Sequence, residues 1–175
     1  MGTTASKTLA KGHHPLLIVK QEAGDRYHRV LVPVDFSHAS RLALQMALKI
    51  IPAGIEPMEA SIHVLHAVET PLEPKMQQGG LKAETIELYR ADVLNRGRCA
   101  TENIIVDCAS GDTRVTSTVE YGSPADMIRD KAQSLKGDLI IIGKRGETEL
   151  DEALFGSVTK HVLYETPCDV LVVSP

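Results

Sequence analysis

The sequence lacks any paired cysteine motif. Its 175 residues include three cysteines, Cys99, Cys108 and Cys168, and no two of them have C-x-x-C spacing. An odd number of cysteines at such separations indicates neither a disulfide framework nor a zinc site. We therefore expect these thiols to be buried or incidental.

Runs of basic residues and long apolar runs are also absent. The chain has 19 Lys and Arg against 23 Asp and Glu, for a net charge of −4. This balance gives no broad attraction for nucleic acid. The first apolar stretch is far shorter than a signal-peptide core or a membrane span. We expect a cytoplasmic protein with no nucleic-acid partner and no membrane partner.

Motifs of common catalytic sites are missing as well. The sequence has no G-x-S-x-G elbow, no P-loop lysine followed by Ser or Thr, and no evident acid and base pair. It has no carboxylate cluster with a fixed metal-binding spacing. Enzymatic turnover is therefore not the expected function.

What the chain does contain is an alternation of strand and helix patterns. Short apolar segments rich in β-branched residues predict buried parallel strands at 29–35, 61–68, 138–143 and 168–173. A fifth strand, 114–122, alternates more and is predicted at an edge. Helical patterns cover 37–51, 81–110, 123–137 and 157–166. This order predicts an α/β domain with an open, mostly parallel sheet and helices on both faces.

Two helices carry specific expectations. Ser37 is a plausible N-cap for the first, and Leu42, Met46 and Ile50 follow at steps of four on one predicted apolar face. The long second helical segment contains Gly97, which is expected to kink or divide it.

The first 25 residues do not fit this series, and they resemble the last helix and strand of the chain, which predicts an N-terminal helix-strand extension. Residues 2–20 align without gaps on 156–174, pairing Gly2 with Gly156 and Leu9 with Leu163. Either the resemblance is chance, or residues 1–25 are the tail of a preceding, otherwise missing domain before the domain 26–175. The apolar strand at its end needs a partner, for which the edge of the last strand, in this chain or a second one, is favoured.

The stretch GKRGETELDEALFGS, 143–157, has the glycine spacing of a phosphate cradle. Gly143 lets the backbone turn sharply off its strand, and Gly146 can take positive φ and expose backbone amides without a Cβ in the way. Gly156 and Ser157 then begin a helix whose free N–H groups and positive dipole end attract anions, and Arg145 adds a forked cation. The alternative is that these glycines only make the turns between a strand and a helix.

Four acids inside this stretch oppose phosphate binding. Glu147, Glu149, Asp151 and Glu152 lie in the spacer between the second and third glycines. A carboxylate at about 8 Å repels a phosphate charge by roughly 0.5 to 2 kcal/mol, against about 8 kcal/mol for micromolar binding. The outcome depends on whether the spacer faces the pocket or the solvent, where salt screens the repulsion.

Taken together, these motifs resemble the universal stress protein family. The resemblance rests on VLVPVDFS, VLHAVE, YGSPADMI, IIGKRGETELDEALFGSVTKHVL and PCDVLVV, and it covers about 29–175. The spacing G-x2-G-x9-G-S is similar to that of the family's ATP-binding branch. The resemblance implies an adenine nucleotide alpha hydrolase-like fold, with five strands in the order 3-2-1-4-5. It also implies a homodimer through the last strand, Asp169–Val173, to which Leu16–Val19 could contribute.

The resemblance also implies a ligand, ATP or else AMP or ADP, and residues that hold it. Pro33, Val34 and Asp35 would line the adenosine side, and the backbone of Ala67 would meet adenine. Asp35 would lie near the ribose or a bound Mg²⁺. The residues around the phosphates would be Ile142, Gly143, Arg145, Gly146, Gly156, Ser157 and Val158.

Alternatives remain open for individual residues and for the function. Asp35 can instead be a capping residue beside Ser37, and both roles can coexist. His66 is expected to be a packed residue rather than a ligand. The leading hypothesis is an ATP-binding stress-response module whose nucleotide state modulates association. Its rivals are a nucleotide-free structural or interaction module of the same fold and a slow ATPase or autophosphorylating protein, with Ser157 as a candidate acceptor.

Overall fold

The computed structural model describes residues 14–22, 24, 26–52, 54–70, 72–144 and 156–174. The strands in this part of the chain are β1 (Leu16–Ile18), β2 (Arg29–Pro33), β3 (Ser61–Val68), β4 (Val115–Tyr121), β5 (Leu139–Gly143) and β6 (Asp169–Val173). The helices are α1 (His38–Ile50), α2 (Glu73–Gln78), α3 (Ala83–Ala109), α4 (Pro124–Ser134) and α5 (Ser157–Glu165). None of these helices is long and apolar enough to cross a membrane.

All the strands belong to a single sheet with the order β1-β6-β5-β2-β3-β4. Strands β2 to β6 pair in parallel, and β1 pairs antiparallel with β6. Without β1, this order is the predicted 3-2-1-4-5, which is confirmed. The sheet has six strands rather than five because β1 joins it. The predicted N-terminal helix lies outside the described residues.

Both faces of the sheet are apolar because alternate residues of the central strands enter two separate cores. One face, with Val30, Ile62 and Ile141, packs under α1 and α3, and the other, with Leu31, Leu65 and Ile140, packs under α4 and α5. This two-sided burial explains the nearly continuous apolar runs of the strands. β4 lies at the edge, as predicted.

Strand β1 lies on the edge of β6 in the same chain. The sequence repeat aligns Leu16–Ile18 with 170–172 in the same order, whereas the sheet pairs them in reverse, with Leu16 opposite Val172 and Leu17 opposite Leu171. The two strands are therefore related by a local two-fold axis through the pair Leu17 and Leu171. The prediction that the orphan strand pairs with the last strand is confirmed, within one chain.

A buried carboxylate joins the N-terminal segment to the domain. Asp169 is 6% exposed. It accepts hydrogen bonds from the backbone N–H of Lys20 at 2.7 Å and of Gln21 at 3.1 Å, and from the Tyr27 hydroxyl at 2.8 Å. The ammonium group of Lys20 donates to the carbonyl of Thr166 at the end of α5, at 2.7 Å. Burial, followed by the hydrogen bond to Asp169, raises the pKa of Tyr27 to about 12.

Helix α1 begins as predicted, but a different set of residues forms its contact with the sheet. The Ser37 hydroxyl accepts from the Ser40 N–H at 3.2 Å, which confirms the N-cap. The fully buried positions are Ala43, Leu44 and Ala47. The predicted residues Leu42, Met46 and Ile50 are only half-buried at the margin of the same core, since small side chains let the helix lie closer to the strands.

Gly97 does not divide the long helix, so the predicted division is wrong, while the kink stays a prediction. Helix α3 runs unbroken over 27 residues, and Gly97 is buried within it. A Cβ at this position would lie 3.1 Å from the His66 ring and 3.1 Å from a methyl group of Val119. Glycine is present because the helix backbone passes close to β3 and β4 there.

Candidate functional site

The sheet opens into a crevice where its winding direction reverses. β2 pairs with β3 over five residues, up to Pro33 opposite Leu65, whereas its pairing with β5 covers only Val30 and Leu31. β2 and β5 therefore separate toward their carboxyl ends. Ligands of open α/β sheets bind at such a switch point, and the predicted residues Pro33, Asp35 and Gly143 all lie there.

The loop after β2 folds back on itself. Asp35 Oδ1 accepts from the Ser37 N–H at 3.1 Å and from the Ser37 hydroxyl at 2.6 Å. Asp35 is thus confirmed as a supporting residue of the α1 N-cap. Between them, Phe36 has φ 68°, a left-handed conformation that costs a bulky residue about 1–3 kcal/mol. Other contacts must hold this loop in place.

His66 supplies two of those contacts. Its Nδ1 lies 2.9 Å from the Val34 carbonyl, so this nitrogen carries the proton and donates. Its ring lies 4.4 Å from the ring of Phe36, tilted by 45°. On the side of α3, Gly97 leaves just the space that the imidazole needs. His66 is a packed residue, as predicted, and it packs against the loop that carries Asp35.

Gly143 ends β5 against the first turn of α1. A Cβ on Gly143 would lie 2.8 Å from the Ala39 Cβ and 3.3 Å from the Ser40 backbone nitrogen. Its φ is not in the left-handed region. The glycine is therefore needed for the close approach of the helix, rather than for the sharp turn predicted from the sequence.

Replacing Gly143 with alanine is expected to destabilise the domain by about 1–3 kcal/mol, because the new methyl group forces α1 away from the sheet. For a chain of this length the melting temperature should fall by roughly 2–12 °C. Gly24→Ala is the matched control, since the nearest atom to its added Cβ is 4.0 Å away. Equal melting temperatures for the two variants would contradict this packing role.

The N-terminus of α5 lies beside the end of β5. The Lys144 N–H donates to the Val173 carbonyl at 2.6 Å, and the Gly156 N–H donates to the Lys144 carbonyl at 3.1 Å. The Thr159 hydroxyl donates to the Gly143 carbonyl at 2.8 Å. These bonds bring the first and third glycines of the motif together, although 145–155 lie outside the described residues.

Gly156 is the N-cap residue of α5 and has φ −56° and ψ 144°. Because it has no side chain, it offers no side-chain acceptor to the N–H groups in the first turn of the helix. The helix dipole adds a positive partial charge at the same end. A glycine-capped helix start at a switch point is a common arrangement for binding phosphate.

The other predicted site residues contribute differently. The side chains of Val34 and Ile142 belong to the two cores, and Val158 packs against the second core. Val34 and Ile142 can therefore face a ligand only with backbone atoms, whereas the side chain of Val158 is partly exposed. Ala67 lies near the end of β3, paired with Glu120 of β4. Arg145, Gly146 and the four acids of the spacer lie outside the described residues.

A polar network beyond β3 and β4 was not predicted. The buried Glu73 accepts from Arg90 Nε at 2.8 Å, from the Tyr121 hydroxyl at 2.7 Å and from the Thr70 hydroxyl at 3.0 Å. Hydrogen bonds from Arg90, then from Tyr121, lower the pKa of Glu73 to about 2. Because Arg90 and Tyr121 are distant in sequence from Thr70 and Glu73, no local sequence pattern could have revealed the network, which fixes the connection after β3.

Within the described ranges, no group of three or more His, Cys, Asp or Glu residues could hold a metal ion. Asp35 is the predicted metal contact, and it is one carboxylate at the crevice. It fits Mg²⁺ only as a partner of phosphate oxygens and water, which is the usual way that proteins bind Mg²⁺ with a nucleotide.

These features define a doubly wound α/β domain with a crevice and a glycine-capped helix start at its switch point. The chain belongs to the universal stress protein family, whose sequence model matches residues 26–174. A universal stress protein of Methanocaldococcus jannaschii is 27% identical over 166 residues, which are 94% of this chain and 92% of that protein.

Solved structures share this fold. Hypothetical protein MJ0577 has a TM-score of 0.72 at 25% identity, covering 85% of this chain and 96% of its own. A functionally unknown protein from Pseudomonas aeruginosa has a TM-score of 0.68 at 25% identity, and it covers 100% of this chain but 57% of its own. Two more distant structures share the fold alone. One is a universal stress protein in complex with cAMP. It is 23% identical, covers 85% of this chain and 98% of its own, and has a TM-score of 0.54. The other is an Arabidopsis thaliana protein of the universal stress protein family with AMP bound. It is 16% identical, covers 84% of this chain and 91% of its own, and has a TM-score of 0.50.

Proposed function

We propose that this protein binds ATP in the crevice between β2 and β5 and that nucleotide occupancy modulates its association with partners. The observation that carries the proposal is the placement of the Gly156 helix start, held against the end of β5 by hydrogen bonds from Thr159 and Gly156. Two proteins of this fold bind cAMP and AMP, which supports an adenine nucleotide as the ligand class.

In this proposal the phosphates lie at the start of α5. The first-turn N–H groups and the Ser157 hydroxyl donate to phosphate oxygens, beside Gly143 at the end of β5. Arg145 and Gly146 complete the cradle from the sequence motif. The electrostatic attraction of a helix end for an anion is about 0.3–1 kcal/mol, and up to about 2 kcal/mol when partly buried, so several donors must act together to give micromolar affinity.

The adenosine lies on the side of β2 and β3. Asp35 is held in place by Ser37 and accepts from ribose hydroxyls, or contacts Mg²⁺ that bridges to the phosphates. The backbone of Ala67 and that of Val34 border the base. This division assigns charge recognition to α5 and nucleoside recognition to the ends of β2 and β3.

Association is proposed to involve the edge formed by β6 and β1. The last strand, Asp169–Val173, is covered by β1 of the same chain, so a homodimer through this strand requires β1 to leave or to exchange.

Residues 1–25 are proposed to correspond to the end of a preceding domain. The match of this whole chain to 57% of a longer chain from Pseudomonas aeruginosa supports that assignment.

The direct test is to denature the purified protein, look for released adenine nucleotide, and titrate ATP with Mg²⁺ by calorimetry. We expect retained nucleotide or a dissociation constant in the micromolar range, which corresponds to about 8 kcal/mol. AMP and cAMP titrated alongside identify the preferred nucleotide. No retained nucleotide and no heat up to millimolar ATP would favour the rival, a nucleotide-free interaction module.

A further inference from the structure

We propose that His66 is the positioning residue of the nucleotide site, holding the loop that presents Asp35. This inference rests on the proposed nucleotide binding and deepens it. The carbonyl of Val34 and the ring of Phe36 are the two points that His66 contacts, and Asp35 lies between them in the chain. His66 therefore holds the loop immediately before and immediately after the carboxylate.

The loop needs such a holder because its conformation is strained. Phe36 has φ 68°, a region that bulky side chains rarely adopt. This turn brings the Asp35 carboxylate back to Ser37, where it accepts two hydrogen bonds. Without contacts from outside the loop, the backbone would relax toward negative φ and move the carboxylate away from the crevice.

Helix α3 packs against the His66 ring on the side away from the Asp35 loop. Gly97 of α3 passes so close that a Cβ there would lie 3.1 Å from the Cδ2 atom of His66. The Thr101 hydroxyl donates to the Gly97 carbonyl at 2.8 Å. The imidazole is thus held between α3 and the Asp35 loop, and it transmits the position of the helix to the site.

The same strand offers a matched control. His63 also lies on β3 and is hydrogen-bonded at both nitrogens, to Thr116 and Thr118 at 2.9 Å each. Because it is three residues before His66, its side chain lies on the opposite face of the sheet. A substitution there removes a histidine of the same strand without touching the Asp35 loop.

The test compares His66→Leu, which removes the donor, with His66→Asn, whose amide nitrogen can occupy the place of Nδ1. Calorimetric titration with ATP and Mg²⁺ is expected to show at least tenfold weaker binding for His66→Leu and less than threefold for His66→Asn. His63→Leu should bind like the unmodified protein. Equal affinity of His66→Leu and the unmodified protein, or equal weakness of the Asn and Leu variants, would overturn the inference.

Two further measurements separate the possible failures. Phe36→Gly removes the ring contact but keeps the hydrogen bond to Val34 and accepts φ 68° without strain, so it should stay folded and, like His66→Asn, bind less than threefold more weakly. Hydrogen exchange of the Ser37 and Ser40 amides needs no nucleotide and should be faster in His66→Leu than in His66→Asn. Normal amide protection in His66→Leu rejects the positioning role, whereas faster exchange in a protein that never binds ATP rejects the proposed function.

Discussion

Replacing Gly156 with valine is expected to abolish adenine nucleotide binding while the domain remains folded. Gly156 has φ −56° and ψ 144°, which any residue can adopt, so the backbone has no need to change. A branched side chain at this position would cover the first-turn N–H groups of α5, where the phosphates are proposed to lie. We expect affinity for ATP to fall at least a hundredfold, which is about 2.7 kcal/mol.

Ser157→Ala is a comparison variant that is expected to have a smaller effect. It removes one exposed hydroxyl and none of the helix N–H groups, so its affinity should fall by about tenfold, which corresponds to a hydrogen bond to a charged group of about 1.5 kcal/mol. Calorimetry measures both affinities, and circular dichroism with thermal unfolding checks that both proteins fold. A folded Gly156→Val protein with unchanged ATP affinity would place the phosphates elsewhere.

The buried parallel strands could be predicted because strands covered on both faces are apolar almost throughout, whereas their order came from the resemblance to the family. β3 was predicted at its observed bounds, and β5 and β6 end where the sequence pattern ends, at Gly143 and Val173. These ends matter for function, since they fix the edge of the sheet on which a ligand can lie.

The roles of the glycines could not be predicted in the same way. Spacing shows that a glycine follows a strand, but it does not show what passes beside it. Gly143 is required by the approach of Ala39, and Gly97 by the approach of His66. Both contacts join elements that are distant in sequence. A glycine at position 143 is therefore expected both from the phosphate motif and from the packing of α1, and the sequence does not distinguish the two.

Helix α2, the network around Glu73 and the contact of His66 with the Asp35 loop were not predicted, because local sequence patterns do not show them. Helix α2 has only six residues, too few for an apolar period to emerge. The network around Glu73 needs side chains from β4 and α3 as well as from α2, and the support of Asp35 by His66 crosses from β3 to the loop after β2. In each case a residue of unremarkable local pattern acquires its role from tertiary contacts.

Deleting residues 1–25 is expected to lower the melting temperature by roughly 6–12 °C and to cause self-association. The deletion removes β1 and leaves the buried Asp169 without its bonds from Lys20 and Gln21. Hydrogen bonds to a charged group contribute about 1.5–3 kcal/mol each when gained, and 1 kcal/mol shifts the melting temperature by about 2–4 °C at this length. Partial rescue by water keeps the expected loss near 3 kcal/mol.

Self-association follows because the deletion uncovers the edge of β6, an apolar strand with unpaired backbone groups. The local two-fold axis between β1 and β6 passes through Leu17 and Leu171, so a second copy of β6 can replace β1 with Leu171 opposite Leu171 of the other copy. Sedimentation at several concentrations measures this association. Deleting only 1–13 is the control, since it leaves β1 and every bond to Asp169 in place. A chain without residues 1–25 that keeps its melting temperature and remains monomeric would show that β1 neither stabilises the domain nor protects its edge.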